Sequence, residues 1–275
     1  MSIDLLPDDI EMTKADFANV ARRVRISTGI VLKPHKEQMV RARLSRRLKA
    51  RSIRTVSAYL SLLERSDEST ENTAFINAIT TNLTSFFRER HHFDHLKTAL
   101  LPNAPGGDRI RIWSAGCSTG EEPVSISITL DQAKQNAHVS QARILATDID
   151  TAVLSRAKTG VYHGSGALDA ANADQSAFRR GPNEGSVEVR AEILRRIAYL
   201  PLNLLGRWPM QKRFDAIFCR NVLIYFDAET KAALIDRFVA QLHPGGVLYL
   251  GHSEALLSQH PQLSAEGQTT YRKSL

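Results

Sequence analysis

RIRIWSAGCSTGEEP, residues 109–123, is the stretch that decides which fold the sequence predicts. It begins as a short apolar, partly β-branched run, which is typical of a buried strand. Gly116 and Gly120 follow the run, and Pro123 stands in the first turn of the helix that comes next. Because glycine has no side chain, such a strand-to-helix turn lets a ligand approach the backbone closely. The stretch therefore predicts a binding turn inside an α/β domain.

Two carboxylates, Glu121 and Glu122, narrow the choice of ligand for this turn. A nicotinamide cofactor is one candidate, but its pyrophosphate requires helix N-terminal amides without anions beside them. A ligand with a positive charge and an amino group, such as S-adenosylmethionine, suits the carboxylates better. A turn without a ligand is the alternative, since acidic residues also stabilise a helix N-terminus. Of these interpretations, the turn favours a bound cofactor.

Short apolar runs alternate with helical segments along the rest of the chain, which is typical of a parallel sheet with helices on both faces. The helical segments lie near 122–135, 149–158 and 228–242, and a final hairpin is centred on Glu266 and Gly267. The predicted fold class is therefore α/β, with a doubly wound, mostly parallel seven-stranded sheet. Its predicted strands are 109–115, 142–148, 196–202, 214–220 and 246–252, followed by the two strands of the hairpin.

The first hundred residues have helical periodicity instead. Thr13 and Asp16 have the spacing of a capping box at the start of the first helix. The predicted domains are 1–100, which is helical; 101–275, which is α/β; and 160–195, a small β-subdomain inserted into the second.

Positive charge is concentrated in the second predicted helix. The chain carries a formal net charge of +7, and residues 33–54 hold nine Lys and Arg against one Glu. Such an excess predicts an acidic partner, but charge alone does not choose among nucleic acid, an anionic membrane surface and an acidic protein. Only two cysteines occur, the acidic N-terminus lacks a signal-peptide core, and no long apolar run is present. These features favour a reducing cytoplasm.

Polar residues follow several of the predicted strands, at the edge where such sheets bind ligands. Asp148 ends the second strand, where its carboxylate can accept both ribose hydroxyls or cap the next helix. Arg220 and Asn221 come directly after the fourth strand, and Asn203 follows the third. Asn203 suits the adenine side of a nucleoside, or it is only a turn residue. The preceding glycine turn favours the ribose role for Asp148.

Four segments together resemble one family. They are TTNLTSFFRERHHF (80–93), WSAGCSTGEEP (113–123), ATDID (146–150) and FCRNVLIYF (218–226), and HPGGVLYLGHSE (243–254) supports them. In these segments the sequence closely resembles the CheR-type chemotaxis receptor methyltransferases, and the resemblance extends over almost the whole chain. It implies a class I methyltransferase sheet together with the N-terminal helical domain and the inserted subdomain.

The resemblance implies a reaction, a cofactor and a set of contacts. The reaction is methyl esterification of glutamate side chains on the cytoplasmic helices of chemotaxis receptors, which gives glutamyl 5-O-methyl esters. The cofactor S-adenosyl-L-methionine becomes S-adenosyl-L-homocysteine. Among the contacts, Glu122 is preferred over Glu121. The implied cofactor contacts are Asn82, Thr84, Arg88, Glu122, Asp148, Asn203, Leu204, Arg220 and Asn221.

The same resemblance places Arg88 and Tyr225 closest to the transferred methyl group. A glutamate carboxylate is already a nucleophile at neutral pH, so the reaction needs no strong general base. The planar guanidinium of Arg88 is suited to orient the glutamate or the cofactor carboxylate. The hydroxyl of Tyr225 is suited to hydrogen-bond the reacting oxygen or to line the methyl channel. Core packing beside Ile224 and Phe226 is the alternative for Tyr225.

Neither the histidines nor the cysteines predict a metal site. His91 and His95 are one helical turn apart, but no further ligand pattern accompanies them. Cys117 and Cys219 do not form a Cys-x-x-Cys pair, which a zinc site commonly uses. No metal is therefore expected.

The resemblance also gives the basic helix over 34–51 a partner, namely the acidic cytoplasmic helices of methyl-accepting chemotaxis receptors. A solvated basic face and RNA binding are alternatives, although the segment has no RNA-binding signature. The turn RRGPNEGS (179–186) has one glycine before its proline. Family members that bind a receptor's C-terminal peptide tend to have a longer glycine-rich turn. This departure speaks against a C-terminal peptide tether. Separately, the protein is expected to be a monomer.

Overall fold

The computed structural model describes residues 10–65, 69–105, 109–133, 139, 141–256 and 259–275. Within them the chain forms two compact units. The helical unit comprises the described part of Met1–Thr81 with Ile149–Thr151 and Tyr225–Asp227. The sheet unit comprises the described parts of Asn82–Asp148, Ala152–Ile224 and Ala228–Leu275.

The helical unit contains helices α1 (Lys14–Thr28), α2 (Glu37–Ala50), α3 (Val56–Leu63) and α4 (Ser69–Ile79). At the start of α1, Thr13 Oγ1 accepts a hydrogen bond from the Asp16 amide at 3.1 Å. Asp16 Oδ2 in turn accepts from the Thr13 amide at 2.9 Å. These two bonds satisfy amides that have no partner inside the helix. The predicted capping box is therefore confirmed.

The core of the helical unit encloses a buried carboxylate. Glu71 is 3% exposed. Arg47 donates to both of its oxygens, at 2.7 and 3.0 Å, and the Tyr59 hydroxyl donates at 2.6 Å. Because a buried charge is costly unless it is paired and hydrogen-bonded, these contacts commit Arg47 of the basic helix to an internal role. The surrounding apolar residues are Val20, Val24, Val40, Leu44, Leu48, Val56, Leu63 and Phe75.

The strands of the remaining chain are β1 (Arg111–Ala115), β2 (Arg143–Asp148), β3 (Val161–His163), β4 (Phe178–Arg180), β5 (Ser186–Val189), β6 (Ile197–Pro201), β7 (Phe214–Cys219), β8 (Leu242–Leu250), β9 (Leu263–Gly267) and β10 (Thr270–Lys273). Among the described residues, seven of them form one sheet in the order β6-β2-β1-β7-β8-β10-β9. The first five in this order pair in parallel, and β10 pairs antiparallel with β8 and β9. The predicted mostly parallel sheet and its final hairpin are confirmed.

The interior strand β1 has buried side chains on both faces. Ile112 belongs to a cluster with Leu96 and Ile126. Trp113 points to the opposite face, where its ring centroid lies 4.8 Å from that of Trp208 and 5.3 Å from that of Phe238. Because successive side chains of a strand alternate between faces, a sheet covered on both sides favours apolar residues at consecutive positions. That preference explains the adjacent, fully buried Ile112 and Trp113.

Helices flank these strands in the alternation that the sequence predicts. In the described part of the chain, no helix is long and apolar enough to cross a membrane. The predicted segment 122–135 extends past the end of its helix, and residues 134–135 lie outside the described residues. The helices are α5 (His91–His95), α6 (Glu121–Gln132), α7 (Thr151–Thr159), α8 (Ser165–Ala173), α9 (Ala191–Leu194) and α10 (Ala228–Gln241).

The compact units divide the chain earlier than the sequence analysis does. The N-terminal stretch of the helical unit ends at Thr81, whereas the predicted helical domain extends to residue 100. Phe93, Leu96 and Leu100 are at most 3% exposed and join the apolar cluster of the sheet. Helical periodicity is the same for a helix that covers a sheet and for a helix in a bundle, so the sequence pattern does not locate this boundary.

A small antiparallel sheet occupies the segment predicted as an inserted β-subdomain. Its strand order is β3-β5-β4. Phe86 contacts Tyr162 and Phe178 of this segment, with ring centroids 4.9 and 5.4 Å apart. Val187 and Val189 of the central strand β5 are also buried against this aromatic cluster.

We expect Glu71→Ala to lower the free energy of unfolding by about 2–4 kcal/mol, because Arg47 and Tyr59 would lose their buried partner. Urea denaturation followed by circular dichroism measures the change. Glu64→Ala, at an exposed position of the same unit, is the matched control and should change stability by less than about 0.5 kcal/mol. Equal stability of the two variants would contradict the internal role of Glu71.

Candidate functional site

The carboxyl ends of three adjacent strands bring the predicted site segments together. β1 lies between β2 and β7, with Ala115 paired to Thr147 and Ser114 paired to Phe218. The turn after β1 is fixed on β2, because the amides of Gly116 and Cys117 both donate to the Thr147 carbonyl, at 2.8 and 2.9 Å. The glycine turn, Asp148 and Arg220 thus lie at one edge of the sheet, as the sequence predicts.

The two glycines of the turn are required by backbone conformation and packing. Gly116 has a φ of 88° and Gly120 a φ of 98°, in the region that glycine enters at little cost. A Cβ at Gly116 would lie 2.3 Å from Val222 Cγ2, and one at Gly120 would lie 2.8 Å from Ala157 Cβ. Such a Cβ would therefore meet protein atoms, so ligand approach is not needed to explain the glycines.

Asp148 is held over this turn. The residue is 8% exposed, and its Oδ2 accepts a hydrogen bond from the Ser118 amide at 2.8 Å. Helix α7 begins only at Thr151, so Asp148 is too far from its first turn to be the N-cap. Among the described residues, the buried Oγ of Ser118 has no hydrogen-bond partner. Asp148 and Ser118 therefore present polar oxygens at the strand ends.

A buried ion pair joins the glycine turn to the end of β7. Arg220 Nη1 lies 3.1 Å from Glu122 Oε2, and the Ser114 hydroxyl donates to Glu122 Oε1 at 2.7 Å. Burial raises the pKa of Glu122, and the nearby guanidinium only partly offsets it. Burial also raises the pKa of Glu121, but that carboxylate accepts from Thr119 at 2.6 Å instead. Glu122, and not Glu121, is the carboxylate paired with Arg220.

The same guanidinium contacts a second carboxylate that the sequence analysis did not assign. Glu89 Oε2 lies 3.3 Å from Arg220 Nη2, which also donates to the Arg88 carbonyl. The Arg220 side chain is 2% exposed and stands 5.5 Å from the centre of the Phe93 ring. The position of Glu89 next to Arg88, in a segment that supports the family resemblance, was the signal that could have identified it.

Arg88 lies in the segment that contains two further predicted contacts, Asn82 and Thr84. Its Nη1 donates to the Leu83 carbonyl at 3.0 Å. Asn82 and Thr84 are half-buried on either side of Leu83, whose side chain is 81% exposed. The cofactor contacts predicted for these three residues stay predictions.

Asn221 has a strained backbone that a second unassigned carboxylate stabilises. Its φ is 59°, an unusual value for a residue with a side chain. Glu254 Oε2 accepts from the amides of Asn221 and Gly251, both at 2.7 Å, and Oε1 accepts from the Ile224 amide at 3.0 Å. A carboxylate three residues after a glycine at the end of β8 was the available sequence signal for Glu254.

The residues after β6 form a turn. Asn203 Oδ1 accepts from the Leu205 amide at 3.0 Å, which supports the turn role that the sequence left open. Leu204 is 8% exposed, and its carbonyl accepts from Trp208 Nε1 at 3.0 Å and from Arg237 Nη1 at 2.6 Å. The adenine-side role of Asn203 and Leu204 stays a prediction.

Tyr225 belongs to the helical unit, where its carbonyl accepts a hydrogen bond from the Val31 amide at 2.8 Å. Its side chain is half-buried, in contrast to the fully buried aromatic residues of the core. The catalytic role implied by the family resemblance stays a prediction.

The three histidines near Arg88 contact protein groups. His92 is fully buried, with Nε2 3.1 Å from Thr269 Oγ1, and burial with the nearby Arg220 lowers its pKa to about 3. His95 Nδ1 lies 3.0 Å from the Tyr249 hydroxyl. In the described ranges, no group of three or more His, Cys, Asp or Glu side chains could hold a metal ion.

Comparison with known proteins identifies the family. Residues 82–272 match the family CheR methyltransferase, SAM binding domain, and residues 15–80 match CheR methyltransferase, all-alpha domain. The chain belongs to the CheR methyltransferase family. A chemotaxis protein methyltransferase of Klebsiella aerogenes is 43% identical over 266 residues, which cover 95% of this chain and 90% of that protein. The Escherichia coli chemotaxis protein methyltransferase is 40% identical over 273 residues, or 98% of this chain and 94% of that protein.

The CheR assignment makes this chain a methyltransferase that uses S-adenosylmethionine. The donor set of the sheet edge fits that cofactor. The Asp148 carboxylate suits ribose hydroxyls, and the Ser118 hydroxyl, unpartnered among the described residues, is available to a ligand. The cofactor inferred from the glycine turn and its acidic residues is confirmed, whereas the individual contacts stay predictions.

We expect Asp148→Ala to weaken the binding of S-adenosylhomocysteine by roughly 1.5–3 kcal/mol, or about 10- to 150-fold, because a charged hydrogen-bond acceptor is lost. Isothermal titration calorimetry measures the affinity, and a melting curve verifies the fold. Asp169→Ala, at an exposed position on α8, is the control and should bind within about twofold of the parent. If Asp148→Ala binds S-adenosylhomocysteine with the affinity of the parent, Asp148 is not part of the cofactor site.

Proposed function

We propose that this CheR methyltransferase esterifies glutamate side chains in the cytoplasmic domain of chemotaxis receptors. The products are glutamyl 5-O-methyl esters and S-adenosylhomocysteine, and the enzyme acts as a cytoplasmic monomer. The Klebsiella aerogenes and Escherichia coli relatives are both chemotaxis protein methyltransferases, which supports the chemotaxis role. The basic helix α2 supports an acidic protein as the methyl acceptor.

One observation carries the proposal for the chemistry. Arg220 contacts Glu122 of the glycine turn, Glu89 and the Arg88 carbonyl, so two separate sequence motifs converge on the guanidinium of a third. An ion-paired arginine inside the site controls charge and geometry without acting as a base. That arrangement suits a reaction in which positioning, and not proton removal, limits the rate.

The acceptor supplies the nucleophile for the reaction, and the cofactor supplies the methyl group and the leaving group. A glutamate carboxylate is ionised at neutral pH and attacks without deprotonation. When bound, S-adenosylmethionine supplies a methyl group on a sulfonium, which is a good leaving group. Arg88 orients a carboxylate with its planar fork, and Tyr225 donates a hydrogen bond to the reacting oxygen or lines the methyl channel. The proposed cofactor contacts are Asn82, Thr84, Arg88, Glu122, Asp148, Asn203, Leu204, Arg220 and Asn221.

Fewer basic side chains of α2 can face a receptor than the number of Lys and Arg residues in the helix implies. Arg47 pairs with Glu71, and Arg43 donates to the carbonyls of Ile79 and Thr80 at 2.6 and 2.7 Å. Arg46 of the same helix is exposed. We therefore assign receptor contact to the exposed face that contains Arg46. The short turn 179–186 favours direct recognition of the methylation region over a C-terminal peptide tether.

Incubation with methyl-labelled S-adenosylmethionine tests the proposed function. Receptor-enriched membranes and purified RNA are offered as separate acceptors. The expected result is a base-labile label on the receptor that is lost when its methylated glutamates are changed to alanine. A base-stable label, or a label on RNA alone, would refute glutamate esterification while leaving the methyltransferase assignment intact.

We expect Arg46→Glu to lower kcat/KM for receptor about tenfold at low ionic strength, because a repulsive charge would face an acidic partner. The defect should shrink as salt screens the contact, and affinity for S-adenosylhomocysteine should not change. Arg22→Glu makes the same charge change at an exposed position of α1 and is the matched control. Equal receptor kinetics for the two variants would mean that α2 is only a solvated face.

A further inference from the structure

The segment that contains Arg88 has an unfavourable backbone conformation on both sides of that residue. Phe87 has a φ of 50° and Glu89 a φ of 56°, although neither is glycine. A left-handed residue with a side chain is energetically unfavourable, and it persists only where surrounding contacts impose it. Such strain is concentrated at functional sites, so the contacts that impose it identify residues that position the site.

Three contacts fix this segment to separate elements of the sheet unit. The Phe87 amide donates to Ser125 Oγ of α6 at 2.9 Å. Glu89 Oε1 accepts from the His252 amide, just beyond β8, at 3.1 Å. Arg220, just beyond β7, contacts both Glu89 Oε2 and the Arg88 carbonyl. Two of the three contacts use the Glu89 carboxylate, which makes it the main anchor of the segment.

The surroundings keep Glu89 charged. Its side chain is 14% exposed, and burial alone raises its pKa. The His252 amide and the Arg220 guanidinium outweigh burial, so the net pKa of Glu89 lies below its usual value. His92 Nδ1 stands 3.6 Å from Glu89 Oε2 and belongs to a ring whose pKa is about 3, so His92 is neutral at neutral pH. Arg220 is therefore the cation that Glu89 pairs with.

We infer that Glu89 is a positioning residue for methyl transfer. Its carboxylate, bound to Arg220 and to the His252 amide, holds the left-handed residues on either side of Arg88 and thereby fixes Arg88. The inference rests on the proposed function, in which the Arg88 guanidinium orients a reacting carboxylate. Glu89 is not a catalytic residue, because it acts on the reaction only through Arg88 and Arg220.

Two substitutions separate the carboxylate from the backbone strain. Glu89→Ala removes the carboxylate and keeps the cost of a left-handed residue, whereas Glu89→Gly removes the carboxylate and relieves that cost. If the carboxylate positions Arg88, both variants lose about 30- to 100-fold in single-turnover methyl transfer, a loss of the size that misplacement of about 1 Å causes. Recovery of parental turnover by Glu89→Gly would overturn the inference.

A double-mutant cycle separates positioning from general destabilisation. Glu89→Gln keeps an oxygen for the His252 amide but loses the charge that pairs with Arg220, and it should lower turnover about tenfold. In an Arg88→Ala background the same change should have almost no further effect, because the group that Glu89 positions is gone. If the losses in turnover from Glu89→Gln and Arg88→Ala multiply in the double variant, the role of Glu89 is merely structural. Asp94→Asn, an exposed change on α5, is the control and should turn over at the parental rate.

A structural measurement does not depend on the methyl acceptor. Crystal structures of the parent and of Glu89→Ala, each with S-adenosylhomocysteine, should differ in φ at residues 87–89 and in the position of the Arg88 guanidinium. An unchanged segment in Glu89→Ala would overturn the inference even if receptors were not the acceptor. If the parent enzyme does not label receptor but the segment is displaced in the variant, the proposed function is refuted and the inference about Glu89 stands.

Discussion

Arg220 carries a positive charge into a region where its side chain is 2% exposed, and the arrangement of the site follows from the need to pair that charge. A buried guanidinium without carboxylates would cost several kcal/mol, and removal of one partner would leave the others mispaired. Glu122 and Glu89 supply the negative charge, and the Arg88 carbonyl takes a further hydrogen bond. The positions of the glycine turn and of the Arg88 segment are thus coupled through one side chain.

The limits of sequence analysis follow from the same contacts. Strand positions could be predicted, because burial on both faces imposes an apolar run such as that around Ile112 and Trp113. The capping box of Thr13 and Asp16 could be predicted, because its partners are three residues apart. Glu89 and Glu254 lie within sequence motifs, but their roles cannot be predicted from sequence, because their partners come from distant segments whose contact only the fold creates.

The net charge of residues 33–54 overstates how many basic side chains can contact a partner. A count from the sequence includes every Lys and Arg of this range. Arg47 instead neutralises the buried Glu71, and Arg43 binds carbonyls at the end of α4. These two side chains stabilise the helical unit that presents the helix, while the exposed Arg46 remains available for long-range attraction. A basic helix can therefore bind a partner with only part of its charge.

The glycine turn and the segment after β7 constrain each other in two independent ways. Electrostatically, Glu122 must lie where Arg220 reaches it, at 3.1 Å. Sterically, residue 116 must lack a Cβ, because Val222 Cγ2 occupies the space 2.3 Å from where that atom would be. The parallel pairing of β1 with β7 sets the distance at which both conditions are met. A change on either segment therefore disturbs the other, which gives a physical reason why the two motifs occur together in a chain that binds S-adenosylmethionine.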